Sequence, residues 1–149
     1  MLTPEIQKLV AENAVLFSLP EWLIVAVINT ESGGDPWAVR FEAAFRAHYV
    51  PDQCQVFGAS HETERTTRAC SWGLMQIMGQ VAREHGYVGP IPQLCDPAVG
   101  LYWGCVKLRK CLDLANQDVH AALQRYNGGS NPDYSAQVMS RMIHYKGVV

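Results

Sequence analysis

A glutamate closes an apolar run early in the chain. The run from Trp22 to Ile28 is followed by Asn29, Thr30 and Glu31. A carboxylate held away from water without partners costs several kcal/mol, so a carboxyl group in such a place tends to keep its proton. A carboxyl group still protonated near neutral pH can act as a general acid. The chemistry predicted from this placement is proton donation by Glu31.

The element that must position Glu31 is the apolar run itself. Pro20 is a residue type tolerated in a first helical turn, and Leu23 to Ile28 is apolar on every side, which predicts a fully enclosed helix. Gly33 and Gly34 end the helix, so Glu31 falls in its last turn. The negative end of the helix dipole and the unpaired carbonyl groups there also raise the pKa of a carboxyl group.

The rest of the chain predicts further helices and almost no strand. Apolar residues recur at helical spacing near the amino terminus, and an Asp-Pro pair, an aspartate and an Asn-Pro pair are typical helix starts. The helices expected are 2–16, 71 to about 85, a helix begun by Asp96-Pro97, a short helix capped by Asp118, and a last helix begun by Asn131-Pro132. With the enclosed helix, this indicates a mainly α protein of about six helices, forming one domain over residues 1–149.

One segment does not fit this pattern. Residues 41–69 are polar, rich in Thr, Arg, Glu and His, and show neither helical nor strand periodicity over any length. We interpret them as a long insertion after the Glu31 helix, with a short helix around Phe41 to Tyr49. A long loop inside a compact domain is usually functional or mobile, so the insertion is expected to form a flap over the site or one wall of it.

Composition limits the classes of partner. The formal charge is −2, which gives the molecule no general attraction to nucleic acid or to anionic lipid. The longest apolar run is far shorter than the roughly 18–20 residues of a membrane span, so no membrane insertion is expected. The first residues interleave charged with apolar side chains, unlike a secretory signal, which predicts synthesis in the cytoplasm.

The five cysteines leave at least one thiol free in a monomer. Cys54 and Cys70 flank a polar segment and could form a disulfide, or could bind zinc together with His48 and His61. The spacing matches no standard zinc site, so free and mostly buried thiols are the favoured interpretation, with no metal.

Three short stretches, taken in order, resemble one known family. They are Glu31-Ser32-Gly33, Gly73-Leu-Met-Gln-Ile77 and Tyr126-Asn-Gly-Gly129, and the helix from Asp96 adds a fourth match through Pro97, Leu101, Gly104 and Leu108. Together they resemble the soluble lytic transglycosylases, relatives of goose-type lysozyme that cleave peptidoglycan. Gly100 departs from the family pattern, which often has Asn there. The resemblance covers about residues 20–142, and 41–69 lie outside it.

The resemblance implies a lysozyme-like fold and a set of site residues. It makes Glu31 the catalytic acid and Tyr126 the residue whose hydroxyl group bonds the Glu31 carboxyl group. It places Met75, Gln76 and Asn127 in the substrate groove near the cleaved bond, and Ser32 becomes a helper beside Glu31. It implies no cofactor.

The same resemblance implies the reaction. In this family one Glu protonates the leaving oxygen between N-acetylmuramic acid and N-acetylglucosamine, then takes a proton from the muramyl C6 hydroxyl group, which attacks the anomeric carbon. The product carries a 1,6-anhydromuramyl end. Hydrolysis instead needs a second carboxylate. The acids Asp35, Glu42, Glu62 and Glu64 keep that alternative open, with Glu42 the first candidate, so a hydrolysing muramidase remains the second interpretation.

The expected partner is therefore peptidoglycan glycan, and the expected state is a monomer acting at the cell wall. A small domain of this kind is typical of bacteriophage lysis or virion-associated enzymes, or of a bacterial protein exported by a secretion machine. Two other classes stay open: a glycan-binding protein without turnover, and a helical assembly protein whose motif matches are accidental.

Overall fold

The computed structural model describes residues 2–146, and their side chains as far as Met142. This part of the chain is mainly helical, as predicted, with eight α-helices, a short 3-10 helix and a small sheet. The α-helices are α1 (Pro4–Phe17), α2 (Glu21–Glu31), α3 (Ala43–Tyr49), α4 (His61–Arg68), α5 (Gly79–Glu84), α6 (Pro97–Leu114), α7 (Val119–Tyr126) and α8 (Tyr134–Lys146). The 3-10 helix is Ile91–Cys95, and the strands are β1 (Val39–Phe41), β2 (Cys70–Trp72) and β3 (Ile77–Met78).

The larger hydrophobic core surrounds α2. Leu23 to Ile28 are all buried, which confirms the prediction of an enclosed helix. Helices α1 and α8 pack against α2, and α6 packs against α1 and α7. Since α2 is held on every side, the position of its last residue is fixed by the core.

Local capping accounts for where several helices begin. Asp96 accepts hydrogen bonds from the backbone N–H groups of Ala98 and Val99, and Asp118 accepts one from Ala121. These two predicted starts are confirmed. The last helix begins at Tyr134, later than the predicted Asn131-Pro132 start, and the Asn131 side chain instead accepts a turn hydrogen bond from the backbone of Asp133.

The predicted helix from Ser71 to about His85 is wrong in its first half. That half forms β2 and β3, which pair antiparallel with each other, and β2 also pairs antiparallel with β1 to give the order β1-β2-β3. The turn between β2 and β3 requires positive φ at Gly73 (66°) and at Gln76 (46°). Gly73 is further restricted because a Cβ atom would collide with the Leu94 carbonyl group. Only α5 is helical in this stretch.

The insertion is ordered by two helices and a buried ion cluster. It contains α3, close to the predicted short helix, and α4, which was not predicted. The carboxylate of Glu64 on α4 accepts from Arg68 (2.8 Å) and from Arg83 of α5 (2.7 Å), and these side chains are almost completely buried. The cluster joins the insertion to the main body of the fold.

The cysteines of the described chain are unpaired. Cys54 and Cys70 form no disulfide, and the Cys70 thiol donates to the Thr66 carbonyl group (3.3 Å). The side chains of residues 2–142 contain no group of three or more His, Cys, Asp or Glu residues arranged to hold a metal ion. No helix among the described residues is long and apolar enough to cross a membrane.

Candidate active site

Glu31 is the last residue of α2 and lies half-buried. Ser32, directly after it, donates its hydroxyl hydrogen to the Leu74 carbonyl group (2.8 Å) and accepts from the backbone N–H of Gly34 (3.2 Å). The bond to Leu74 ties the end of α2 to the turn between β2 and β3. Ser32 therefore holds the backbone beside Glu31 in place.

The pKa of the Glu31 carboxyl group is raised above its ordinary value. Burial is the largest cause, because removal of water disfavours the charged form. A hydrogen bond from Tyr134 and the positive charges of Lys107 and Arg40 act in the opposite direction without cancelling the effect of burial. The upward direction predicted from the sequence is confirmed, and the result is a carboxyl group suited to proton donation.

The direct partner of Glu31 is Tyr134, in the first turn of α8. Its hydroxyl group lies 2.5 Å from Glu31 Oε1 and donates to it. Burial, together with the adjacent negative charge, raises the pKa of Tyr134, so this hydroxyl group stays a donor at any working pH. This role was not predicted from the sequence, where the hydrogen bond to Glu31 was assigned to Tyr126. The available signal was a tyrosine on the inward face of a helix that had to pack somewhere near α2.

Tyr126, the tyrosine expected to bond Glu31, makes a different contact. It is buried at the end of α7, and its hydroxyl group donates to the backbone carbonyl of Met75 (2.8 Å). A phenol has one hydrogen to donate. The expected hydrogen bond from Tyr126 to Glu31 is therefore corrected: Tyr126 supports the Met75 backbone, while Tyr134 bonds the carboxyl group.

Met75 is also placed differently from the expectation. Its side chain is fully buried and packs against Gly104 of α6, where a Cβ atom would collide with the Met75 sulfur. A side chain with no exposed surface cannot line a groove, so the expected sugar contact by the Met75 side chain is corrected. It fills the space between α6 and the turn that follows β2.

Gln76 and Asn127 retain some capacity to bind a ligand. Gln76 donates both amide hydrogens internally, to the carbonyl groups of Ala38 (2.9 Å) and Gly73 (3.0 Å), and its side-chain oxygen accepts from Ser71 (2.8 Å). One acceptor position on that oxygen remains. Asn127 donates to Ser130, and among the described residues its side-chain oxygen accepts no hydrogen bond. Both residues are half-buried.

Each acid considered as a second carboxylate already has an internal partner. Glu42 lies 2.5 Å from Arg40, and Glu62 lies 2.5 Å from Arg46. Glu64 is enclosed in the ion cluster, and Asp35 accepts from the backbone N–H of Trp37 (2.9 Å). Glu42, the first candidate, is not among the groups that shift the pKa of Glu31.

The fold and this site define the class of protein. It is a mainly helical, lysozyme-like domain in which a desolvated glutamate ends an enclosed helix. The family model described as Transglycosylase SLT domain matches residues 8–142. The chain belongs to this family, which confirms the resemblance read from the motifs, and its members are lytic transglycosylases that act on peptidoglycan. It is therefore an enzyme of peptidoglycan cleavage. No curated protein matches the chain, and neither does any solved structure.

Proposed function

We propose that the protein cleaves the β-1,4 bond between N-acetylmuramic acid and N-acetylglucosamine by intramolecular transglycosylation, with Glu31 as its acid and then its base. The observation that carries this proposal is the state of Glu31. Its carboxyl group is desolvated and its pKa is raised, and Tyr134 holds it in place.

The reaction balances with this one carboxyl group. Glu31 gives its proton to the glycosidic oxygen as the bond from that oxygen to the anomeric carbon breaks, and N-acetylglucosamine leaves with a new hydroxyl group. The Glu31 carboxylate then removes the proton from the muramyl C6 hydroxyl group while its oxygen bonds to the anomeric carbon. Glu31 ends protonated as it began, and no water is consumed.

The partners of the other acids support transglycosylation over hydrolysis. Glycosidases with two carboxylates hold them about 5–5.5 Å apart for retention or 6.5–9.5 Å apart for inversion. Glu42 pairs with Arg40, and the remaining acids of the insertion pair with other arginines. A carboxylate held in an ion pair must leave that partner before it can take a proton from a water molecule.

Gln76 and Asn127 are proposed as contacts to the sugar. Each retains a side-chain oxygen with an open acceptor position, which suits a sugar hydroxyl or an N-acetyl N–H group. The cell wall is the proposed place of action, since that is where peptidoglycan lies.

Digestion of purified cell walls by wild type, Glu31→Gln and Glu42→Gln tests the proposal, with products identified by mass spectrometry. The wild type is expected to release 1,6-anhydromuramyl ends, which are lighter than hydrolysed ends by one water. Glu31→Gln is expected to be inactive, and Glu42→Gln to give the same anhydro products as wild type. Reducing muramyl ends that disappear in Glu42→Gln would establish the muramidase instead. Wall binding without turnover by both wild type and Glu31→Gln would establish a binding protein.

A further inference from the structure

Trp37 lies in the short loop that joins α2 to β1, and its side chain is open to solvent. Its exposed fraction is 72%, the largest of any aromatic residue whose side chain is described. Loops held by a rigid scaffold often carry the residues that bind ligands. An exposed indole ring a few residues after Glu31 is therefore a candidate contact for the substrate.

The other three tryptophans are occupied within the fold. Trp72 is buried, and its indole N–H donates to a backbone carbonyl group (3.0 Å). Trp103 is half-buried and packs against two tyrosine rings, and Trp22 packs against the larger core. Among the residues whose side chains are described, no aromatic ring packs against the Trp37 ring and no cation lies over it. Trp37 is thus the tryptophan whose ring is available to a ligand.

The backbone around Trp37 is fixed to the candidate site. The N–H of Trp37 donates to the side chain of Asp35 (2.9 Å). The carbonyl group of Ala38, the next residue, accepts from the backbone N–H of Gly73 (2.8 Å) and from the side-chain amide of Gln76 (2.9 Å). Trp37 is therefore held one residue away from a direct contact of Gln76, the residue proposed above to bind the sugar.

The same loop is held close to Glu31 by two successive turns. The carbonyl group of Ser32 accepts from the N–H of Asp35 (3.2 Å), and the carbonyl group of Asp35 accepts from the N–H of Ala38 (3.4 Å). The chain therefore does not extend away from the end of α2 before β1 begins. Trp37 lies in the segment that connects the proposed acid to the proposed sugar contact.

The chemistry of the glycan suits a flat aromatic surface. In β-1,4-linked N-acetylated sugars the polar groups lie around the rim of the ring, and C–H groups occupy its two faces. The face of an indole ring is apolar and carries the negative part of its quadrupole, so it attracts such C–H groups. A contact of this kind needs an exposed ring at a fixed place, and Trp37 provides one.

We propose that Trp37 binds a sugar ring of the glycan strand by stacking and so extends the substrate groove beyond Gln76. This inference rests on the function proposed above. Trp37 takes no part in proton transfer. It contributes to affinity for the strand, and a strand held there lies beside the residue that follows α2 and Glu31.

The test measures binding of glycan strands that an amidase has freed of peptide, with Glu31→Gln as the parent so that the strands are not cleaved. In this parent, Trp37→Ala removes the ring, Trp37→Leu keeps an apolar side chain without a flat face, and Trp37→Tyr keeps a ring. Leu16→Ala is the control, because Leu16 is also exposed (63%) but lies at the end of α1, shortly before α2 begins. Glu31 is at the other end of α2, about 15 Å along the helix axis.

Trp37→Ala and Trp37→Leu are each expected to weaken binding by about tenfold, since truncated tryptophans are among the costliest losses at binding surfaces. Trp37→Tyr should retain most of the affinity, and Leu16→Ala should match the parent. Strands should shift the tryptophan emission of the parent to shorter wavelength, and this shift should be absent in Trp37→Tyr. With Glu31 intact, Trp37→Ala should raise KM for the strands by about tenfold with a much smaller effect on kcat.

Equal binding by the parent and by Trp37→Ala would overturn the inference, as would unchanged emission on addition of strands to the parent. Self-association that Trp37→Ala abolishes while glycan binding stays the same would show that a second copy covers this ring instead. The two levels of the argument fail separately. Wall digestion by Glu31→Gln would remove the proposed function itself, whereas an inactive Glu31→Gln that binds strands equally with and without the Trp37 ring would remove only the role of Trp37.

Discussion

The hydroxyl group of Tyr134 donates a hydrogen bond of 2.5 Å to Glu31, joining the first turn of α8 to the last residue of α2. The two residues are far apart in sequence, and the packing of α8 against α2 brings them together. The bond leaves the carboxyl group one defined orientation. Orientation matters here because small misplacements of reacting groups cost about a hundredfold in rate.

Tyr134→Phe is expected to lower turnover by about ten- to a hundredfold. A hydrogen bond to a charged group contributes about 1.5–3 kcal/mol, and Tyr134→Phe cannot make this bond to the ionised Glu31. Because the bond lowers the pKa of Glu31, its loss also moves the alkaline limb of the pH profile upward. The measurement is the initial rate of wall digestion against pH. Tyr102→Phe is the control, since Tyr102 is exposed and its hydroxyl group makes no hydrogen bond within the described residues.

Tyr126→Phe is expected to affect stability more than chemistry. It leaves the carbonyl group of Met75 without its donor in a buried place, which costs about 1–3 kcal/mol of unfolding free energy. Urea unfolding of the variant beside wild type and Tyr102→Phe measures this. Unchanged stability with a turnover loss as large as that of Tyr134→Phe would contradict the assignment of the two tyrosines.

These tyrosines show how far the sequence leads at the site. The identity and burial of Glu31 follow from local features, namely a run that is apolar on every side and two glycines that end it. Tyr126 and Tyr134 are both buried, and local pattern does not distinguish them. Which hydroxyl group meets Glu31 depends on how α7 and α8 pack on α2, and this is a tertiary property.

The fold shows the same division between local and distant causes. The starts at Asp96 and Asp118 are local, and both predictions are correct. Residues 71–78 were predicted as the first half of a helix that runs to about His85. They form strands because β1, far back in the chain, pairs with β2. Helix α4 of the insertion likewise makes a distant contact, from Glu64 to Arg83 of α5.

Glu31→Gln is expected to be more stable than wild type at neutral pH. The pKa of Glu31 is raised in the folded state, so the folded protein holds this proton more tightly than the unfolded chain does. Stability from this group is complete below the unfolded pKa and is lost as pH rises through the folded pKa. Thermal or urea unfolding at several pH values should therefore show an advantage for Glu31→Gln that grows with pH. An advantage that instead grew toward acid pH would contradict the burial of this carboxyl group.

Glu64→Gln is expected to destabilise the fold by about 3–5 kcal/mol, because Arg68 and Arg83 would keep buried charges without a carboxylate. Glu62→Gln is the matched control on the same helix. Its ion pair with Arg46 is exposed, and such pairs contribute about 0–1 kcal/mol. Urea unfolding measures both. Equal effects of the two substitutions would show that the cluster does not anchor the insertion.

The most direct test of the central claim, that Glu31 works without water, is wall digestion in water labelled with heavy oxygen. Transglycosylation forms the new bond from the muramyl C6 oxygen, so the account predicts anhydro ends that carry no label. Hydrolysis places one solvent oxygen on each new muramyl end. Labelled reducing ends as the main early product would contradict the mechanism.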